Sequence, residues 1–208
     1  MRSRTSRRHR PRAGVVPDVE TTSTTAGRAP APAGPLTEIT LADGTPAMIW
    51  PLLDTDGEAL RQAYAELSPE SRRFRFLTEL PELSDGMLRL LVDAVDGVDH
   101  VAVVLTAFPE GGGARQVGVA RLVRHPDEPE AADVAVTVTD SWQGRGVGRA
   151  LMDALLARRP HGVVRLRTVV AAENRASLRM LGRVGRMTAR HEGGGELTVE
   201  VTDLPPLA

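Results

Sequence analysis

The sequence predicts an α/β fold of the α+β mixed-sheet kind, in the order β-α-α-α-β-β-β-α-β-α-β-β, and three observations carry that prediction. Alternating apolar runs at residues 99–108, 116–124 and 131–139 follow one another with turn residues between them, which makes an antiparallel meander. A glycine-rich loop, Gln143-Gly144-Arg145-Gly146-Val147-Gly148, then joins the last run to an amphipathic stretch, the strand-loop-helix start of a right-handed crossover. Three helical segments precede the meander and a hairpin closes the chain, which fits neither a repeating βαβ array nor an all-β sandwich.

Residues 1–35 combine Arg-rich, Thr/Ser-rich and Ala/Pro-rich pieces with almost no large apolar residue. Burial there cannot offset ordering entropy, so disorder is expected, with one domain over residues 36–208. Residues 45–53 read as a first strand ended at Pro51. Asp54 is expected to cap the next helix, whose Leu60, Tyr64 and Leu67 share one face. Ser68-Pro69-Glu70-Ser71 opens a second helix, with Ser at the N-cap, Pro at the first helical position and Ser71 where a capping box prefers Glu or Gln. That helix carries Arg72, Arg73, Phe74, Arg75 and Phe76. Ser84-Asp85 opens a third, with Met87, Leu88, Leu91 and Val92 inward. Beyond the loop, Val147, Leu151, Ala154 and Leu155 form the buried stripe of a helix that stops near Arg159-Pro160. Residues 163–170 read as a strand, 174–184 as a helix, and 186–201 as a hairpin turning at Gly193-Gly194-Gly195.

Composition removes several chemistries. There is no Cys, which excludes disulfides, thiolate catalysis and Cys-ligated zinc. All 26 basic residues are Arg, which excludes a Walker A lysine and a Schiff-base lysine. The five His have no metal-ligand spacing, and His100, near a strand start, reads as structural. No apolar run approaches 18 residues and no signal-peptide core follows the N-terminal arginines, so the expected location is the cytoplasm, away from any membrane. Residues 1–35 hold seven Arg against Asp18 and Glu20, a charge of +5, so the net −1 of the chain leaves −6 on the rest. A mildly acidic domain suits a cationic substrate better than nucleic acid.

The glycine loop reads first as an anion site, because glycines admit positive φ and close approach while the free N–H groups of a helix start point at the same place. A dinucleotide-binding Gly-x-Gly-x-x-Gly fails, since Gly146 opens Gly-Val-Gly-Arg-Ala-Leu; a P-loop fails for want of Gly-Lys-Ser/Thr. What stands is Gln143-x-x-Gly146-x-Gly148, preceded by a strand and followed by a helix, a strand and Asn174-x-x-Ser177. This arrangement resembles the GNAT N-acetyltransferase superfamily over about residues 45–201. A finer resemblance to the bacterial protein-lysine acetyltransferase branch rests on Leu67-Ser68-Pro69-Glu70-Ser71-Arg72-Arg73-Phe74-Arg75-Phe76, on Val98-Asp99-His100-Val101-Ala102 and on Asp140-Ser141-Trp142-Gln143.

That resemblance implies acetyl-CoA as co-substrate, lying in a gap between two splayed parallel strands. Val136 and Val138 would offer backbone groups to pantetheine. Gln143, Gly144, Arg145, Gly146, Val147 and Gly148 would hold the pyrophosphate through backbone N–H groups, with Arg145 and Arg149 adding charge. Asp133 stands where the related enzymes carry a catalytic Glu; being a methylene shorter, it would accept the amine's proton through water. Glu130 is the reserve candidate. Asn174 would bond pantetheine or a strand carbonyl, or cap its helix. The acid Tyr of many members is replaced by Leu181, and the aromatic expected after Gly185 is Arg186, which would weaken the acyl pocket. The implied reaction is acetyl transfer to a primary amine, a protein lysine first; a small-molecule amine acceptor and a non-catalytic acyl-CoA sensor are the alternatives.

Overall fold

The computed structural model describes residues 36–207; the expectation for residues 1–35 lies outside them. In chain order the elements are β1 (Thr37–Thr40), β2 (Pro46–Pro51), α1 (Gly57–Ala65), α2 (Pro69–Phe76), α3 (Asp85–Asp93), β3 (His100–Ala107), β4 (Arg115–Arg124), β5 (Ala131–Val138), α4 (Val147–Leu156), β6 (Arg165–Ala171), α5 (Arg175–Leu181), β7 (Arg186–Gly193) and β8 (Glu196–Thr202). The strands form one mixed sheet in the order β1-β2-β3-β4-β5-β6-β8-β7.

Two details differ from the expected order. β1 is an added edge strand, running antiparallel to β2 from Thr37↔Ile49 to Thr40↔Pro46. Its apolar content is Ile39 alone, too little for a periodic signal. Asp54 does not cap α1: residues Asp54–Asp56 form a turn of 3₁₀ helix, and the Asp56 carboxylate accepts the Leu53 N–H at 2.8 Å. The other two expected caps are present, with the Ser68 hydroxyl accepting the Ser71 N–H at 3.2 Å and that of Ser84 accepting the Met87 N–H at 3.3 Å.

β3, β4 and β5 form the antiparallel meander, and their alternation builds two cores. Val101, Val103 and Leu105 of β3, with Ala132 and Val134 of β5, face α4, where Val147, Leu151 and Leu155 are almost fully buried. Burying a Leu side chain this way contributes about 1.5–3 kcal/mol. Ala102 and Val104 face the opposite side, against Leu60, Tyr64, Phe76, Leu88, Leu91 and Val92 from α1, α2 and α3. No helix among the described residues is long and apolar enough to cross a membrane.

Candidate active site

The sheet comes apart at one place. β5 and β6 run parallel but pair only at Ala131↔Arg165 and Ala132↔Leu166. The Glu130 carbonyl anchors the base of this fork, accepting N–H groups of Val164 at 2.9 Å and Arg165 at 3.2 Å. The Thr168 hydroxyl then reaches across to the Val134 carbonyl at 3.2 Å, and beyond it the strands diverge. On its other edge β5 stays paired with β4, and the Thr139 N–H donates to Val117 at 3.0 Å. Antiparallel alternation therefore turns the backbone groups of Val134, Val136 and Val138 into the fork. Thr168 takes the Val134 carbonyl and Gln143 Nε2 takes that of Val138 at 3.2 Å. Both backbone groups of Val136 and the N–H of Val138 are left facing the gap.

At the wide end of the fork the chain turns into α4. Gly144 and Gly146 hold φ of 76° and 90°, the left-handed region that a side chain disfavours. The N–H groups of Gly144, Arg145, Gly146, Val147 and Gly148 find no acceptor among the loop and cap hydrogen bonds of the described residues. Five donors thus converge at the positive end of a ten-residue helix, a site for an anion. A Cβ built on Gly148 would meet only Met180 Sδ at 3.7 Å, Val138 at 3.8 Å and Val136 at 4.0 Å, all ordinary contacts. Packing does not demand this glycine. Gly148→Ala should therefore keep the melting temperature or raise it slightly, yet raise the dissociation constant for CoA on the order of tenfold by narrowing the gap; calorimetric titration with CoA reads it.

One carboxylate joins this loop to the helices across the sheet. Asp140 accepts the Ser68 N–H at 2.6 Å, the Ser71 hydroxyl at 2.5 Å and the Gln143 amide at 2.9 Å. Burial pushes its pKa up, but the hydrogen bonds from Ser71 and Ser68 outweigh this and hold the carboxyl below the ordinary range. Ser71, at the position where a capping box would carry Glu, sends its side chain to Asp140 instead. Asp140→Asn replaces three charge-assisted bonds with weaker ones and should cost about 1–3 kcal/mol in urea denaturation.

Asp133 follows directly after the last β5–β6 pair, at the apex of the fork, with its side chain on the face covered by α1, α2 and α3. Its Oδ1 is shielded from solvent and has no hydrogen-bond partner. Burial raises the pKa of this carboxyl; the Thr168 hydroxyl and the Arg75 charge pull it back only in part. A carboxylate so placed is a proton acceptor more basic than an exposed Asp.

A family model described as the acetyltransferase (GNAT) family matches residues 59–185. This chain belongs to the GNAT acetyltransferases. It is 37% identical over 137 residues to an acetyltransferase of Pseudomonas aeruginosa, covering 65% of this chain and 72% of that one. It is 34% identical over 158 residues to acetyltransferase Pat of Mycolicibacterium smegmatis, covering 76% of this chain and 45% of the relative, so it spans less than half of that protein. The crystal structure of the GNAT domain of S. lividans PAT superposes with a TM-score of 0.68 at 27% identity, over 80% of this chain and 96% of that domain. The chain is thus a GNAT N-acetyltransferase that takes acetyl-CoA as co-substrate, close to the protein acetyltransferase branch.

Within the GNAT site the expected residues take different parts. Gln143 is a brace: its backbone N–H donates to the Asp140 carbonyl at 3.2 Å, and its amide bonds Asp140, Val138 and Ser71. Arg145 contributes its backbone N–H, while its side chain pairs with Asp43 at 2.7 Å and stacks 4.7 Å from the Trp142 ring centre. Arg149 lies 3.6 Å from Asp153 on the exposed side of α4. Asn174 caps α5, its Oδ1 accepting the Ser177 N–H at 3.0 Å. Glu130 pairs with Arg165 at 3.1 Å. Leu181 is core, and Arg186 pairs with Asp203 at 3.2 Å on the surface. Sequence reasoning did not single out Thr168, which bonds the Val134 carbonyl, or Arg75, whose charge bears on Asp133; the one signal was a charge set between two aromatics, Phe74-Arg75-Phe76.

Proposed function

We propose that this GNAT enzyme acetylates the side-chain amine of a protein lysine, with Asp133 as general base acting through water. The observation that carries the reading is the unpartnered, shielded Oδ1 of Asp133 at the apex of the fork. The relatives named Pat and PAT support a protein acceptor.

The residues present fit the co-substrate: five unpaired N–H groups at a helix start suit a pyrophosphate, and the open groups of Val136 and Val138 suit the amides of pantetheine. Acetyl-CoA supplies an activated acyl thioester. Gly144 to Gly148 would hold its pyrophosphate, and Asn174 Nδ2, on the side chain whose oxygen caps α5, would add a donor. A Val136 or Val138 amide aimed into the fork would stabilise negative charge developing on the reacting carbonyl oxygen. Asp133 takes the proton that the ammonium must lose before it can attack. Leu181 stands in the core where other members carry an acid, so water protonates the leaving thiolate. Thiol release from acetyl-CoA with lysine peptides and small amines tests the reading. Turnover on lysine peptides is the expected result, and tight CoA binding without turnover on any amine would overturn it.

A further inference from the structure

On the face under α1, α2 and α3 lies a cavity of about 50 Å³ with mostly apolar walls, Leu60, Leu67 and Leu91 among them, and with Thr137, Gln116, Arg75 and Arg121 at its polar border. Among the described residues neither guanidinium makes an ion pair with a carboxylate. Arg121 is 8% exposed; it donates to the Leu91 carbonyl at 3.0 Å and lies 3.3 Å from His100 Nε2, two uncharged partners for five N–H donors. Arg75 lies over the Phe76 ring, 4.7 Å from its centre. Burial lowers the pKa of both, that of Arg121 to about 9 with the Arg75 charge adding to the effect. Asp133 is the carboxylate whose charge bears on Arg75, while none is among the groups that shift Arg121.

One buried and one half-buried guanidinium facing one small space, with a single carboxylate near them, leave positive charge that a further anion would offset. We propose that this cavity is a subsite for a carboxylate carried by the acceptor, a few bonds from the amine that is acetylated; this rests on the N-acetyltransferase reading above. The volume and the two guanidinium groups at the border suit that group. A space of about 50 Å³ holds a group of one or two water volumes, enough for a carboxylate and too little for a ring. The same two cations repel the acceptor's ammonium toward Asp133, so the acceptor is oriented by opposite charges at its two ends. The carboxylate comes from a free diamino acid or from an acidic side chain beside a protein lysine.

The test compares 2,4-diaminobutyrate, ornithine and lysine with 1,3-diaminopropane, putrescine and cadaverine, and lysine peptides bearing Glu or Gln beside the lysine. The expected result is a KM about tenfold or more lower for the carboxylated member, with kcat changed little, in one of the two sets; that set identifies the source. Arg75→Gln and Arg121→Gln should each erase the difference while circular dichroism shows a folded chain. Should Arg121→Gln fail to fold, Arg75→Gln carries the test from a less buried position. Calorimetry with ornithine and putrescine, without acetyl-CoA, should give the same order. Equal KM values within both sets, equal binding of ornithine and putrescine, or a preference that survives in both folded variants would overturn the subsite. Acetylation of no amine at all would instead overturn the proposed reaction, and the calorimetry would still decide the subsite.

Discussion

Asp133→Asn is expected to lower kcat/KM for amine acetylation by about 10²–10⁴-fold, the range of a positioned general base. The melting temperature at pH 7 should hold or rise, which separates the loss from unfolding. The sign follows from burial. The folded pKa lies above the unfolded one, so the group contributes most to stability at low pH and the contribution is lost as pH rises through the folded value. At neutral pH an ionised Asp133 is a cost of folding, and the amide removes it. The same shift moves the acidic limb of the kcat/KM profile above the ordinary carboxylate range, and that limb should vanish in the variant. Wild-type turnover by Asp133→Asn would remove the residue from the mechanism.

His100 gives the second large effect, in stability. Burial, with the Arg121 charge added, lowers its pKa from 6.5 to about 4. The folded ring is neutral, and its Nε2 can accept from the Arg121 guanidinium, 3.3 Å away. As pH falls from 6.5 the unfolded chain takes a proton that the folded chain refuses until about 4. Stability from this group is therefore full above pH 6.5 and declines toward pH 4, by about 3 kcal/mol in all, at most about 1.4 kcal/mol per pH unit. Asp133 acts in the opposite sense, so the difference between wild type and His100→Gln isolates the imidazole. Urea denaturation at pH 7, 5.5 and 4.5 should show a flatter dependence in the variant; parallel curves would assign the acid loss elsewhere.

What could be read from the sequence was local. Ser68 and Ser84 announce their helices by cap chemistry, and the meander announces itself by alternation, because both signals sit within a few residues. The glycine loop was legible for the same reason: three glycines, a helix start and a preceding strand adjoin in the chain. β1 was missed because an edge strand with one inward side chain carries almost no period. The task of the Arg145 side chain was hidden because Asp43 lies 102 residues away; Gln143 has Asp140 and Val138 only 3 and 5 residues off, and its distant tie is Ser71, 72 residues away. Arg75 and Arg121 meet in the cavity only after α2 and β4 have packed, and no local pattern in either stretch points to the other.

The Asp140 carboxylate ties the start of α2, through Ser68 and Ser71, to Gln143 of the glycine loop. A ligand that ordered the loop would act on α2 through these three bonds, and one that ordered α2 would act on the loop. Any such cooperativity is reciprocal: the factor by which acetyl-CoA tightens the acceptor must equal the factor by which the acceptor tightens acetyl-CoA. Asp140→Asn then changes a product of two affinities as well as each one, and a thermodynamic box drawn with both ligands measures how far the two walls act as one.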